Sequence, residues 1–304
     1  MKTVIFYNEK GGVGKSSFTI MYASYLKYKH GVKVGVADYN FRISNYRQDE
    51  KAVRKSAGTY DQVKDRELWP IVTAMPKDIN TFPKAILHKY CFWLQNQIDN
   101  GQLKGLDVIL IDLPGSVAGG ELRELLINHM ISLCVIPADR DAQTMRAAIE
   151  TYNRVAGSGK VPSMVFINQA QSFVKFKEYE DIARELPQLE PPVKVLPDII
   201  SFSERMRKMT EVDLMRSTFE YPDWESKSFE GSKDLGIENL FIDVTRELTK
   251  VKDLKGTDPC DLSFVKDLKK EFQERRQLFG TAFPEYEFDK SMFSKDRQRA
   301  ADEK

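Results

Sequence analysis

The sequence predicts an α/β fold built on a doubly wound, mostly parallel sheet with helices on both faces. Three observations carry the prediction. Short apolar segments bounded by turn residues alternate with stretches of helical spacing, the pattern of βαβ units. Four of the apolar segments are near-continuous in hydrophobic residues, as strands covered on both faces must be. A glycine-rich turn joins the first strand to the first helix.

In order along the chain, the first strand is "TVIFY" at 3–7, followed by the turn and a helix over 15–29. The second strand is "VKVGVA" at 32–37. Segment 41–81, with "RQDEKAVRKSA" and "LWPIVTAMPKDI", breaks the alternation and reads as an insertion holding a helix and a short strand. Helices are then expected at 83–99, 119–129, 141–155, 173–185 and 201–209. Between them lie the strands "DVILID" at 107–112, "ISLCVIP" at 131–137, "SMVFIN" at 163–168 and "PVKVLP" at 192–197. These elements form one domain over 1–250, with 251–304 as a helical extension and a frayed, charged tail. In the extension Phe264, Val265, Leu268, Phe272, Leu278 and Phe279 stand near helical spacing, the mark of an amphipathic helix.

Composition narrows the function classes. Among 304 residues, 46 bases face 45 acids for a net charge of +1, so any nucleic-acid contact must come from a local patch. Cys91, Cys134 and Cys260 are too few and too far apart for a disulfide framework or a cysteine metal site, which fits buried thiols in a reducing compartment. No apolar run reaches the roughly 18 residues of a membrane helix, and the first residues lack the pattern of a signal peptide. The expected location is the cytoplasm.

The chemistry concentrates in "NEKGGVGKSS" at 8–17. Where the strict phosphate-loop pattern G-x-x-x-x-G-K-[ST] requires its first glycine, this chain has Glu9. What it carries is K-G-G-x-G-K-S, whose fixed positions coincide by chance in such a chain with a probability on the order of 10⁻⁴. Gly11 and Gly12 free the backbone to wrap phosphate oxygens, Lys15 reaches the β and γ phosphates, and Ser16 places its hydroxyl on Mg²⁺. The helix that begins here points its positive end at the anion. The expected nucleotide contacts are Gly11, Gly12, Val13, Gly14, Lys15, Ser16 and Ser17.

This loop resembles the deviant Walker A motif of the ParA/MinD group of ATPases, a branch of the P-loop NTPases, whose hallmark is the extra lysine found here as Lys10. The resemblance implies that Lys10 reaches the nucleotide of a partner subunit in an ATP-dependent homodimer, and that ATP and Mg²⁺ are the cofactors. A cation contributed in trans makes dimerisation depend on the γ-phosphate. Asp38 closes the second strand at the sheet edge where α/β ligand sites form. The group usually has D-x-D there, its second carboxylate positioning or activating the attacking water, whereas this chain has Asp38 and Asn40. An amide orients water but accepts no proton, so slow hydrolysis is expected. "DVILIDLPGS" resembles Walker B, with Asp112 on Mg²⁺, and Pro114 and Gly115 opening a γ-phosphate-sensing loop; a helix N-cap is the alternative role for Asp112.

Further along, "ISLCVIP" and "ADRDAQTMRAAIE" resemble a strand ending in proline and a helix near the dimer face. Asn168 matches an adenine-binding asparagine, and Pro197 and Asp198 match a segment that closes over the base. The resemblance covers residues 1 to about 250. It implies a role in DNA partition or maintenance of a plasmid, chromosome or conjugative element, with non-specific DNA and a ParB-like or other activating adaptor as partners. Candidate DNA contacts are Arg205, Arg207, Lys208 and Arg216, and the run Arg42, Arg47, Lys51, Arg54 and Lys55. A MinD-like membrane role is the alternative, but the helix at 264–279 has nearly matched acids and bases and is not terminal. A small-molecule enzyme on the same fold, or a tyrosine-autophosphorylating kinase, is the other alternative; the tail holds only Tyr286.

Overall fold

The structure, a computed structural model, describes residues 1–60, 69–73, 93–114, 130–139, 141–156, 161–170, 181–182, 185–189, 193–201, 235–254, 257–260, 262 and 264–265. The chain separates into two compact units, Met1–Leu262 and Ser263–Lys304. In the first, the elements run β1 (Lys2–Phe6), α1 (Lys15–Ser24), β2 (Val34–Asp38), α2 (Arg42–Ser56), β3 (Ile71–Thr73), β4 (Val108–Asp112), β5 (Leu133–Ala138), α3 (Ala142–Ala156), β6 (Ser163–Ala170), β7 (Val195–Ser201) and α4 (Leu235–Lys250). A π-helical turn, Tyr25–Lys29, extends α1, and residues 93–99 are helical. No helix among the described residues is long and apolar enough to cross a membrane.

The seven strands form one parallel sheet in the order β3-β2-β4-β1-β5-β6-β7. Side chains of successive residues leave a strand on opposite faces, so each strand feeds two cores. On one face Ile5, Ile109, Ile111, Cys134, Ile136, Val165 and Ile167 join a cluster that takes in Tyr152 and Val155 of α3 and Leu94 and Ile98. On the other, Phe6 stacks on Phe18 of α1 at 5.8 Å, Phe18 meets Phe166 edge-on at 4.9 Å, and Tyr22 meets Phe241 of α4 at 5.1 Å. The Tyr22 hydroxyl shares a hydrogen bond of 2.9 Å with Thr245, satisfying two polar groups inside that aromatic core. Helices therefore cover both faces, as the apolar strands require.

Segment 41–81 does not interrupt the alternation. Its described parts, α2 and β3, make one more βαβ unit, with β3 pairing beside β2 from Val36↔Ile71 to Asp38↔Thr73. The last strand runs past Pro197 to Ser201, so no helix starts at 201 as the sequence suggests. Proline reads as a strand end because it lacks an N–H, but β7 is an edge strand, where that N–H is not needed. The expected helix 119–129, most of 83–99 and 173–185, and residues 202–209 lie outside the described residues. So do Cys91, Gly115, Arg205, Arg207, Lys208, Arg216 and the extension from 266 onward.

Candidate functional site

The carboxyl ends of β1, β2 and β4 lie side by side, and the loop after β1 crosses above them. Gly12 and Gly14 have φ of 79° and 89°, the left-handed region that only glycine enters without strain. Gly14 is also tightly enclosed: a Cβ there would lie 3.2 Å from the Phe18 ring and 3.3 Å from the Asn168 amide. Beyond Gly14, helix α1 begins with no side-chain cap and no acid in its first turn. Its first N–H groups have no intrahelical acceptor by geometry, so the loop and helix start form a cradle of donors suited to an anion.

Inside the cradle, Lys15 is 7 % exposed and donates from Nζ to the Lys10 carbonyl at 2.7 Å. Burial pulls its pKa down to about 8, with Asp112 pulling the other way. The Ser16 hydroxyl donates to Asp112 at 2.8 Å. Asp112 is fully buried, and burial together with the nearby Asp38 charge pushes its pKa up to about 7. Asn40 donates from Nδ2 to Ser16 Oγ and to Asp112 Oδ2, both at 3.3 Å. No group of three or more His, Cys, Asp or Glu among the described residues could hold a metal. The hydroxyl and carboxylate oxygens of Ser16 and Asp112 are hard donors 2.8 Å apart, which fits a cation that draws its other ligands from phosphate and water, as Mg²⁺ does.

Asp38 holds the helix that follows it while lying beside Asp112 in the sheet register. Its Oδ2 accepts from the Ser44 N–H at 2.8 Å and hydroxyl at 2.7 Å, and its Oδ1 from the Asn40 N–H at 2.9 Å. Asp38 satisfies the start of α2 from outside the helix, whereas the helix expected after Asp112, at 119–129, lies outside the described residues. Phe41, at φ 59°, is the one non-glycine residue in the left-handed region among the described residues, and it turns the chain so that this cap forms. Such a conformation costs about 1 kcal/mol or more and is held by its surroundings.

Lys10 is exposed on the rim and donates from Nζ to Gln143 Oε1 on α3 at 2.9 Å. Asn168 is buried and donates to the Val13 carbonyl at 3.0 Å, so it supports the loop from the far side. Val13 is itself buried, and Ser17 lies half-buried in the first turn of α1. Pro197 and Asp198 lie within edge strand β7, next to Ile199, which pairs with Ile167. Sequence reasoning missed Asn8, whose buried amide contacts Lys10, Pro137 and Thr144, and Gln143 in the first turn of α3 with Asp141 just before it, which lie near Lys10. A polar residue directly after an apolar strand was the one available signal for Asn8.

The second basic group belongs to α2 and is engaged by that helix and by residues that follow it. Arg47 lies 4.6 Å above the Trp69 ring and donates to the Trp69 carbonyl at 2.7 Å. Arg54 pairs with Glu50 at 2.7 Å, while Lys51 and Lys55 each stand 5.3 Å from the Tyr60 ring. Arg42 contacts Tyr46.

With the geometry in place, the chain can be set beside solved structures. Cell division protein MinD from Aquifex aeolicus superposes with a TM-score of 0.52 at 15% identity, over 86% of this chain and 100% of that one. A plasmid partition protein from Borrelia burgdorferi B31, bound to AMPPNP, gives 0.51 at 16% identity, over 81% and 99%. MinD from Pyrococcus horikoshii OT3, complexed with Mg-ADP, gives 0.51 at 15%, over 81% and 97%. The chain has the fold of MinD and of plasmid partition proteins. The sequence matches no family model and no curated protein.

Proposed function

We propose that this chain is a cytoplasmic ATPase of the ParA/MinD kind that binds Mg·ATP in the 8–17 loop and dimerises through it to serve DNA partition or maintenance. The observation that carries the reading is the set of buried Lys15, Ser16 and Asp112 with half-buried Asn40, gathered from three strand ends beneath a glycine cradle. An ammonium at a lowered pKa and a carboxylate at a raised one are costly to bury, and phosphate and Mg²⁺ are the partners that relieve both. In this role the loop amides and Lys15 bind the phosphates, and Ser16 and Asp112 hold the metal. Lys10, already exposed on the rim, reaches toward a second copy. Bound Mg²⁺ supplies charge neutralisation on the β and γ phosphates. The AMPPNP and Mg-ADP carried by two of the structural neighbours support the choice of ligand.

The test is size-exclusion chromatography with Mg·ATP, Mg·ADP and no nucleotide, each with and without DNA. Dimer in ATP alone, lost in Lys10→Ala, and salt-sensitive DNA retention by that dimer are expected. A monomer under saturating Mg·ATP overturns the dimer. A dimer that ignores DNA at low salt, and is retained on liposomes instead, replaces partition with the membrane reading.

Asn40 sets the expected rate. It contacts the metal pair but cannot take a proton from water, so hydrolysis is slow and the ATP dimer long-lived. Asn40→Asp raises turnover by about 10-fold or more if a base is what the site lacks; equal turnover in the two proteins refutes this.

A further inference from the structure

We infer that Asn8 is a positioning residue that ties the lysine end of the loop to the first turn of α3, so that occupation of the loop alters that turn. The inference rests on the reading of the loop as a nucleotide site. Asn8 is fully buried two residues after the end of β1. Its amide nitrogen donates to the Pro137 carbonyl at 2.8 Å and the Thr144 carbonyl at 3.4 Å, and its amide oxygen accepts from the Lys10 N–H at 2.8 Å. One planar group thus joins the loop, the end of β5 and the start of α3.

The need for this link follows from strand lengths. The register of β1 against β5 ends at Phe6↔Val135, where the Tyr7 N–H still reaches the Val135 carbonyl at 2.9 Å. Strand β5 continues to Ala138, so the next carbonyl on that side, that of Pro137, has outrun β1. The Asn8 amide takes the place of the missing rung. Proline suits position 137 because its absent N–H falls on the same unpaired side. Asparagine offers the donor for this rung and the acceptor for Lys10 on separate atoms of one planar group.

The same residue, Lys10, connects onward to the phosphate cradle through its next peptide group. The Lys10 carbonyl accepts from Lys15 Nζ at 2.7 Å, while Lys10 Nζ donates to Gln143 at 2.9 Å. A phosphate that draws the Lys15 ammonium away releases that carbonyl. Lys10 is then held through its N–H by Asn8, whose amide nitrogen donates to the Thr144 carbonyl in a turn closed by Asp141, which accepts the Thr144 N–H at 3.0 Å. Movement of Lys10 and of the α3 turn is therefore coupled through a buried contact rather than through the exposed lysine side chain.

Hydrogen exchange at the Gln143, Thr144 and Met145 amides, with and without saturating Mg·AMPPNP, reads this coupling. In the wild type the nucleotide changes their exchange by about threefold or more. Asn8→Ser keeps an acceptor for the Lys10 N–H but reaches neither carbonyl; it retains nucleotide affinity within about 10-fold and loses the α3 response. Gln143→Ala removes only the exposed contact and keeps the response. A full response in Asn8→Ser, or a lost one in Gln143→Ala, overturns the inference whichever variant folds less well. A wild type that binds nucleotide with no change at α3 overturns it alone, whereas a wild type that binds no Mg·AMPPNP overturns the proposed function and this inference with it.

Discussion

The loop at 8–17 and helix α2 are both rich in basic side chains, and the fold treats them oppositely. Lys15 is taken under cover, met by a backbone carbonyl, and left with its charge strained toward release. Arg47, Lys51, Arg54 and Lys55 stay half-buried or exposed, each laid over an aromatic ring or against a carboxylate. Charge that is already balanced within the chain stabilises the helix, whereas charge held at a cost awaits a ligand. On this ground the basic side chains of α2 have a role within the fold, and the loop presents its charge to a ligand.

The sharpest way to break the contrast is Lys15→Ala. Truncating a buried cation that faces phosphate lowers nucleotide affinity by at least about 1,000-fold, roughly 4 kcal/mol. The nucleotide-free protein is expected to gain stability near neutral pH. A depressed lysine pKa contributes stability only above its ordinary value of 10.5 and loses it as pH falls through about 8, so at pH 7 the wild type bears the full penalty. Calorimetric titration with Mg·ATP and thermal melts of the free protein check the two halves; a destabilised variant would mean that Lys15 is structural.

Asp112→Asn tests the acid side with the opposite pH signature. A carboxyl raised from 3.8 to about 7 contributes stability fully present below the ordinary value and lost as pH rises through 7. Above pH 7 the wild type therefore carries a penalty of up to about 4 kcal/mol that the amide does not. Melts at pH 4 should nearly coincide, and at pH 8 the variant should be the more stable while losing Mg²⁺-dependent tightening of nucleotide. Coincident melts at both values would show that Asp112 is not held against its ionisation.

How much of this was legible follows from what each residue depends on. Lys15, Ser16 and Asp112 stand in contiguous signals, a strand, a glycine turn and a helix start, or a strand ending in an acid, and all three meet in space as expected. The described strand cores fell where apolar runs placed them, because parallel strands buried on two faces leave no polar alternation to confuse them. Their ends did not. Val32 and Lys33 read as strand, yet the Val32 N–H closes the preceding helical turn onto Leu26 at 3.0 Å. Asp38 could be placed at the sheet edge, but not its engagement by Ser44, which depends on the left-handed Phe41. Asn8 and Gln143 were out of reach for the same kind of reason: each meets its partner across the gap between the loop and a helix start more than a hundred residues away in sequence, and no local pattern encodes that meeting.

The gentler probes lie in α2, where the contrast predicts small effects with a definite order. Arg47 joins a cation–π contact at 4.6 Å to a hydrogen bond onto the Trp69 carbonyl, and Trp69 is fully buried and donates to Ser24 at 3.3 Å. Arg47→Ala therefore costs about 1–2 kcal/mol through lost packing and an unmet carbonyl, and Arg47→Lys recovers only part of it, because an ammonium cannot stack and donate at once. Lys51 and Lys55 sit farther from their ring, in solvent, and Lys51→Ala with Lys55→Ala together cost under about 0.5 kcal/mol. Denaturant unfolding ranks the three. Salt-dependent retention on DNA by the ATP-bound protein then decides what these lysines do: unchanged retention in the double variant leaves them as a solvated helix face, and a shallower salt slope restores α2 to the DNA-binding surface.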